Sequence, residues 1–153
     1  MLDVQDSAPL FTLPDGNGTD VSLADLKGTP VVLFFYPRDD TSGCTKEAIA
    51  FSGLQDRFDA AGAKVFGISK DSVASHAKFS AKHDLTVPLL SDENGQVCED
   101  YGVWKEKSMY GRKFMGIERT TVLIDAEGKV ARIWPKVKVP GHAEEVLEAA
   151  EAL

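Results

Sequence analysis

One cysteine, Cys44, stands where the sequence changes from a buried-type strand to a helix. The six apolar residues 31–36 lack polar alternation and are closed by Pro37, a pattern typical of a strand covered on both faces. Ser42 is a favoured N-cap residue, and apolar side chains then recur at helical spacing to about residue 60. Cys44 is therefore expected in the first turn of a helix, where free N–H groups and the helix dipole favour a thiolate. This placement predicts a reactive thiol.

The spacing around the cysteine follows the pattern Pro37-x-x-x-Thr41-x-x-Cys44-Thr45. This pattern resembles the active-site signature of the peroxiredoxins, which are thiol peroxidases. Cys44 would then attack a peroxide and become a sulfenic acid, a step that requires a thiolate and donors for the charge on the leaving oxygen. The resemblance implies a chemistry without metal or cofactor, in which hydrogen peroxide and organic hydroperoxides are reduced to water and alcohols.

A second segment, from Gly116 to Asp125, looks like the second signature of that family, whose arginine faces the catalytic cysteine. That arginine is Arg119 in this sequence. The resemblance extends from Asp6 to the C-terminal helix and is strongest to the peroxiredoxin Q, or bacterioferritin comigratory protein, branch. It implies one thioredoxin-like domain of the AhpC/TSA type over residues 1–153.

The resemblance assigns a role to each polar group near the thiol. Arg119 would hold the thiolate and polarise the peroxide, since a guanidinium keeps its charge. The Thr41 hydroxyl would bridge thiolate and peroxide, and Pro37 would form an apolar wall that keeps water away. Backbone N–H groups of Gly43 and Cys44 would be further donors to a developing oxyanion. Without the resemblance, Arg119 is a solvated charge at a strand end and Thr41 is a simple capping or turn residue.

The reduction of the sulfenic acid is where the sequence departs from the branch pattern. Many members carry a resolving cysteine one helical turn after the first, but Ile49 occupies that position here. Other members carry it in the following helix, but residues 77–84 contain no cysteine. Cys98 is the one remaining candidate. Its neighbours suggest a structural cysteine at the margin of the core, so an external thiol is expected to reduce Cys44 directly. An intramolecular Cys44–Cys98 disulfide is the alternative and requires Cα atoms within ~7 Å, which unwinding of the first helical turn would have to provide.

The order of elements predicts an α/β thioredoxin-like fold, with a central mixed sheet, helices on both faces and an N-terminal hairpin. The strand that begins at Thr120 would run antiparallel to the strand that ends at Tyr36, which brings Arg119 close to Cys44. Lys46 and Glu47 are expected to be charges on the helix surface. The predicted elements are a hairpin of 11–13 with 20–23, a strand 31–36, a helix 42–60, a strand 63–69, a helix 71–84 capped by Asp71, a strand 87–90, a helix 94–101, a hairpin of 120–125 with 130–134, and a helix 141–153.

Composition limits the possible partners and compartment. The 153 residues carry a formal net charge of −7, which argues against nucleic acid or an anionic membrane as a partner. Two cysteines are too few for a disulfide framework, so we expect a cytoplasmic protein. The expected partners are a peroxide and a reducing thiol, such as thioredoxin, glutaredoxin or a low-molecular-weight thiol. A monomer or weak dimer is expected, and Trp104 or Tyr110 would border the substrate pocket or a weak interface.

Other functions remain possible from the residues alone. A disulfide isomerase needs Cys-x-x-Cys, and the third position after Cys44 is Glu47. His76 and His83 lie seven residues apart on one helix face and could begin a metal site, but solvated helix histidines are the simpler interpretation. A non-catalytic binding or holdase protein, or a redox sensor that uses Cys44, is an alternative from another class, since this fold supports many functions.

Overall fold

The computed structural model describes residues 2–153, and a five-stranded sheet forms the centre of the molecule. The strands are β1 (Thr12–Pro14), β2 (Asp20–Ser22), β3 (Val31–Phe35), β4 (Lys64–Ser69), β5 (Leu89–Ser91), β6 (Trp104–Met109), β7 (Arg112–Ile117), β8 (Thr120–Ile124) and β9 (Val130–Trp134). The helices are α1 (Ser42–Gly53), α2 (Gln55–Ala60), α3 (Val73–His83), α4 (Gln96–Asp100) and α5 (His142–Glu151), and a short 3-10 helix spans Leu23–Leu26.

The sheet is mixed, as the sequence predicts. Its strand order is β5-β4-β3-β8-β9, and β3 pairs in parallel with β4 but antiparallel with β8. Every residue of β3 and β8 is buried, which explains why β3 is an apolar run without alternation. The two-stranded pairs β1–β2 and β6–β7 lie outside this sheet.

Two hydrophobic clusters cover the opposite faces of the sheet. Alternate residues of β3 belong to different clusters, with Leu33 and Phe35 in one and Phe34 in the other, because successive strand side chains point to opposite faces. The first cluster includes the N-terminal hairpin and α4, and the second includes buried residues of α1, α2, α3 and α5. The predicted arrangement of helices on both faces is therefore confirmed.

The long helix predicted over 42–60 is two helices. The chain turns at Leu54, whose N–H donates to Phe51 O at 3.1 Å, and α2 begins at the next residue. Ser52 and Gly53 precede the break, and both have low helix propensity. The Ser52 hydroxyl also accepts the backbone N–H of Thr86 at 3.1 Å, which ties the end of α1 to the segment before β5.

The cap predicted for α3 is wrong by one residue. Ser72 is the N-cap, and its hydroxyl accepts the N–H of Ser75 at 3.1 Å. The Asp71 carboxylate instead accepts the N–H of Asp39, which lies in the loop between β3 and α1. Aspartate and serine are both favoured N-cap residues, so local sequence does not decide between Asp71 and Ser72. The tertiary hydrogen bond to Asp39 occupies the Asp71 carboxylate and leaves Ser72 as the cap.

The hairpin of β6 and β7 was not among the predicted elements. Its turn is formed by Tyr110 and Gly111, both with positive φ, which suits a tight hairpin turn. Polar residues occur in both strands, such as Glu106 and Ser108 in β6 and Lys113 in β7, so the usual alternation of apolar residues is weak. Tyr110 is 98 % exposed at the tip, whereas Trp104 is half-buried beneath the Lys70 ammonium at 4.1 Å. Among residues 2–153, no helix is long and apolar enough to cross a membrane.

Candidate active site

The register of β3 and β8 brings Arg119 to the start of α1. Phe35, the last residue of β3, pairs with Thr120, the first residue of β8, so Arg119 lies beside the loop that leaves β3. The carbonyl of Arg119 accepts the N–H of Val137 at 2.9 Å, which fixes its backbone against the segment that follows β9. The sequence prediction that Arg119 lies close to Cys44 is confirmed.

Cys44 lies in the first turn of α1, as predicted, and is only 1 % exposed. The helix begins with a hydrogen bond from Thr45 N to Thr41 O at 2.8 Å. The N–H groups of Ser42, Gly43 and Cys44 precede this bond, so they have no acceptor within the helix. The sulfur is therefore beside an array of free donors at the positive end of a helix.

Arg119 connects Cys44 to a carboxylate. Its Nη2 donates to Cys44 Sγ at 3.3 Å, and its Nη1 donates to Glu47 Oε1 at 2.7 Å. Burial of the guanidinium by itself would lower the pKa of Arg119. Glu47 and the Cys44 sulfur together have the larger, opposite effect, so the pKa is raised. The planar fork of the guanidinium thus holds a fixed orientation in which one nitrogen always faces the sulfur.

The prediction that Glu47 is a surface charge is wrong. Glu47 is 1 % exposed, because the helix face that carries Cys44 packs against the sheet and Arg119 covers the carboxylate. Burial raises the pKa of Glu47 to about 7, although Arg119 opposes the shift. Among residues 2–153, no group hydrogen-bonds its second oxygen, Oε2. Its three-residue spacing from Cys44 was the signal in the sequence, since residues i and i+3 share a helix face.

Gly43 leaves the space that the guanidinium occupies. A Cβ at this position would lie 3.1 Å from Arg119 Nη2, so a side chain would push the guanidinium by a few tenths of an ångström. Pro37 is half-buried and lies two residues after the end of β3, where its fixed φ sets the course of the loop. Both residues therefore shape the loop and helix start around Cys44.

The Thr41 hydroxyl is oriented by the loop itself. Its Oγ1 donates to the carbonyl of Arg38 at 2.9 Å, which uses the hydroxyl hydrogen and leaves lone pairs free to accept. The Thr41 carbonyl accepts both the N–H and the hydroxyl of Thr45. The N-cap of α1 is Thr41 and not Ser42 as predicted, because the helix already includes Ser42; the Thr41 side chain makes no capping hydrogen bond to residues 2–153. The hydroxyl is exposed and is free to contact a ligand.

Cys98 lies on the other side of the sheet from Cys44. Cys98 is fully buried in the cluster that contains Phe35, whereas Cys44 belongs to the cluster that contains Phe34. Burial and the neighbouring Asp92 carboxylate raise the pKa of the Cys98 thiol far above its usual range. The residue is therefore in the core rather than at its margin. A disulfide between the two cysteines would require one of them to leave its core.

The sequence suggested that both helix histidines are solvated, but only one of them is exposed to solvent. His76 is fully buried, and its ring nitrogens contact Asp39 Oδ2 and Leu90 O. His83 is partly exposed and contacts Asp40 Oδ1 at 2.9 Å. Within residues 2–153, no three metal-ligating side chains converge. Phe79, which is buried one turn after His76, was the signal that this face of the helix points inward.

Lys107 is a further cation near the site that the sequence did not indicate. Its aliphatic stem crosses Gly116, where a Cβ would lie 3.3 Å from Lys107 Cδ. Burial and the nearby Arg119 charge lower the pKa of Lys107, while the Cys44 sulfur acts in the opposite direction. The β6–β7 hairpin thus adds positive charge beside the thiol.

Comparison with known proteins gives the same family as the sequence motifs. The sequence model of the AhpC/TSA family matches residues 4–133. A relative from Coxiella burnetii, named putative peroxiredoxin bcp, is 53 % identical over 146 residues, which cover 95 % of this chain and 97 % of the relative. Peroxiredoxin Bcp of Xanthomonas campestris is 47 % identical over 147 residues, covering 95 % of this chain and 92 % of that protein.

Solved structures confirm the thioredoxin-like fold. The Xanthomonas campestris bacterioferritin comigratory protein, studied for alkyl peroxide reduction, superposes with a TM-score of 0.91 at 44 % identity. That match covers 99 % of this chain and 97 % of the other. A variant of Xylella fastidiosa PrxQ gives a TM-score of 0.94 at 40 % identity, again covering 99 % and 97 % of the two chains. The folds therefore agree over nearly their whole length.

Proposed function

We propose a mechanism for this chain from the premise that it belongs to the AhpC/TSA family, in its peroxiredoxin Q/Bcp branch, and is a thiol peroxidase. In this mechanism Cys44 is the peroxidatic nucleophile, and Arg119, Thr41, Pro37 and the backbone N–H groups of Gly43 and Cys44 complete the site. The substrates are hydrogen peroxide and organic hydroperoxides. Alkyl peroxide reduction by the Xanthomonas campestris protein supports the second class.

The chemical step is a displacement at oxygen. The Cys44 thiolate attacks one peroxide oxygen, so that an S–O bond forms while the O–O bond breaks and its electron pair moves onto the leaving oxygen. The leaving oxygen takes a proton and departs as water or an alcohol, and the sulfur becomes a sulfenic acid. Arg119 Nη2, at 3.3 Å from the sulfur, lies where it can stabilise both the thiolate and the charge that moves away from it.

Thr41 and the helix start orient the peroxide. Because the hydroxyl hydrogen of Thr41 is directed to Arg38 O, its lone pairs accept the O–H of the bound peroxide. The N–H groups of Gly43 and Cys44 donate to the oxygen that acquires negative charge. Pro37 limits the access of water to the sulfur. Together these groups hold the attacking atom and the O–O bond in line before the reaction begins.

An external thiol completes the cycle. One thiol condenses with the Cys44 sulfenic acid to give a mixed disulfide and water, and a second thiol attacks that disulfide to release Cys44. Thioredoxin, glutaredoxin or a low-molecular-weight thiol could supply both thiols, in the cytoplasm and with the enzyme as a monomer or weak dimer. The position of Cys98 on the opposite face of the sheet supports this one-cysteine cycle.

The observation that carries the proposal is the contact of Arg119 with a buried cysteine at the start of a helix. The test is thiol-dependent peroxide consumption by the wild type, Cys44→Ser and Cys98→Ser, with thioredoxin and its reductase as the electron source. We expect Cys44→Ser to abolish turnover with an unchanged circular dichroism spectrum, and Cys98→Ser to retain turnover. Continued turnover by Cys44→Ser would refute the assignment of the nucleophile.

A further inference from the structure

We propose that His76 is a positioning residue for the peroxidase reaction and acts by tethering the loop of residues 37–41 through Asp39. This inference rests on the proposed function of Cys44, because that loop carries Pro37 and Thr41 and leads into the helix that holds the thiol. His76 lies on α3, outside the group of residues that contact the sulfur. Its effect would therefore be transmitted through the shape of the loop.

The hydrogen bonds of His76 leave its ring no freedom. A carbonyl oxygen only accepts, so Nε2 donates to Leu90 O, at 2.9 Å, and this contact anchors the ring to β5. The other nitrogen, Nδ1, lies 2.7 Å from Asp39 Oδ2. The His76 side chain is 0 % exposed and that of Asp39 is 4 % exposed, so water does not compete for either contact.

Two other side chains also donate to the Asp39 carboxylate. The Tyr36 hydroxyl donates to Asp39 Oδ1 at 2.6 Å, and the Ser75 hydroxyl donates to Oδ2 at 2.8 Å. Together with His76 Nδ1, these hydroxyls occupy both carboxylate oxygens and hold the Asp39 side chain in one orientation. Burial and the Asp39 carboxylate raise the pKa of Tyr36, which keeps this hydroxyl a donor.

The contact with His76 fixes Asp39, which is the one residue of the 37–41 loop that points inward. Asp39 is also held through its backbone, since its N–H donates to the Asp71 carboxylate at 2.8 Å. Its neighbour Asp40 has a φ of +59°, a left-handed conformation that is uncommon for residues other than glycine, although aspartate adopts it more readily than most. On the other side of Asp39, the Arg38 carbonyl accepts the Thr41 hydroxyl. A shift of Asp39 would therefore move the acceptor that orients Thr41.

Buried polar groups of this kind are costly unless they are paired, and apolar side chains of similar size would fill the space between α3 and the sheet. The polar pair adds a directional constraint that packing alone does not give. Because a displacement of about 1 Å in a reacting group can slow a reaction ~100-fold, a loop tether has a measurable effect on rate. The network therefore acts on reactivity rather than on stability.

The experiment compares His76→Gln, His76→Asn and His83→Gln with the wild type. A glutamine amide at this position can reproduce the Nε2 contact with Leu90 O but not the contact with Asp39, whereas an asparagine amide can reproduce the contact with Asp39. His83 is the matched control, because it lies on the same helix and contacts the neighbouring loop residue Asp40 at the surface. Three quantities are measured: the single-turnover rate of Cys44 oxidation by hydrogen peroxide, the rate of Cys44 alkylation by iodoacetamide, and amide hydrogen exchange of residues 38–45.

We expect His76→Gln to slow oxidation at least tenfold and to speed amide exchange in residues 38–45, without slowing alkylation, which does not require an oriented Thr41. The oxidation rate of His76→Asn should fall less than threefold, and that of His83→Gln should stay within twofold of the wild-type rate. Oxidation of His76→Gln at the wild-type rate would overturn the inference. Equal falls in the oxidation rates of both His76 variants, with a parallel fall in their alkylation rates, would also overturn the inference, because they indicate general destabilisation.

If His76→Gln does not fold, Tyr36→Phe makes the same test, since it removes only the hydroxyl that donates to Asp39. Its oxidation should slow two- to fivefold with unchanged alkylation, and a wild-type oxidation rate would overturn the inference. Failure of the proposed function gives a different result. In that case wild-type Cys44 is not oxidised at all, while the exchange of residues 38–45 still reports on the tether.

Discussion

Arg119 Nη2 lies 3.3 Å from Cys44 Sγ although 75 positions separate the two residues in the chain. The contact exists because β8 runs antiparallel to β3, which places the start of one strand beside the end of the other. Arg119 also holds Glu47, so its guanidinium cannot rotate without losing one of two partners. The thiol, the cation and the carboxylate therefore behave as one unit.

Replacement of Arg119 should slow the reaction of Cys44 with peroxide. Arg119→Ala removes a donor to the reacting atoms, and loss of one such donor costs about 100- to 1,000-fold in rate. Arg119→Lys keeps the charge but lacks the fork that reaches both partners, so a loss of at least tenfold is expected. Stopped-flow measurement of single-turnover oxidation gives both rates. An unchanged rate in Arg119→Ala would remove this residue from the site.

Glu47 should make stability depend on pH. Because folding raises the pKa of Glu47 from 4.5 to about 7, the folded state binds more protons in this interval, and stability falls as pH rises through it. The full effect is about 3 kcal/mol in unfolding free energy. Glu47→Gln stays neutral, so the wild type should lose stability relative to this variant between pH 4.5 and 7. Urea unfolding of both proteins at several pH values measures the difference, and parallel curves would contradict the assigned shift.

Oxidation without added thiol should leave a sulfenic acid on Cys44. One equivalent of hydrogen peroxide is expected to add one oxygen to both the wild type and Cys98→Ser, because the cysteines lie on opposite faces of the sheet. Intact mass and dimedone labelling detect this product. Loss of two hydrogens in the wild type alone would instead identify Cys98 as the resolving cysteine.

Gly43→Ala should slow oxidation through Arg119. The added Cβ would lie 3.1 Å from Nη2, and the resulting displacement of the guanidinium should cost about tenfold in rate. Gly53→Ala is a matched control on the same helix, since a Cβ there meets no atom of residues 2–153 within 4 Å. It should keep the wild-type rate and gain up to about 1 kcal/mol in stability. Equal rates for both variants would show that the guanidinium adapts without cost.

Local sequence was sufficient for the main elements of the fold. The apolar run of β3, the alternation of strands with helices, and the late hairpin of β8 and β9 predicted the mixed sheet and the neighbours of its central strand. The β6–β7 hairpin escaped prediction because its exposed strands carry polar side chains on both faces. The break at Leu54 escaped prediction because the apolar periodicity continues through it.

The sequence by itself determined that Cys44 opens a helix, because the strand, the proline and the capping region that place it are its immediate neighbours. Its topology also predicted that Arg119 lies near Cys44. Only the tertiary structure decided that Glu47 and His76 are buried and that Cys98 lies across the sheet from Cys44. Burial depends on which distant segments cover a helix face, and a charged side chain gives no local sign that a partner 72 positions away will neutralise it.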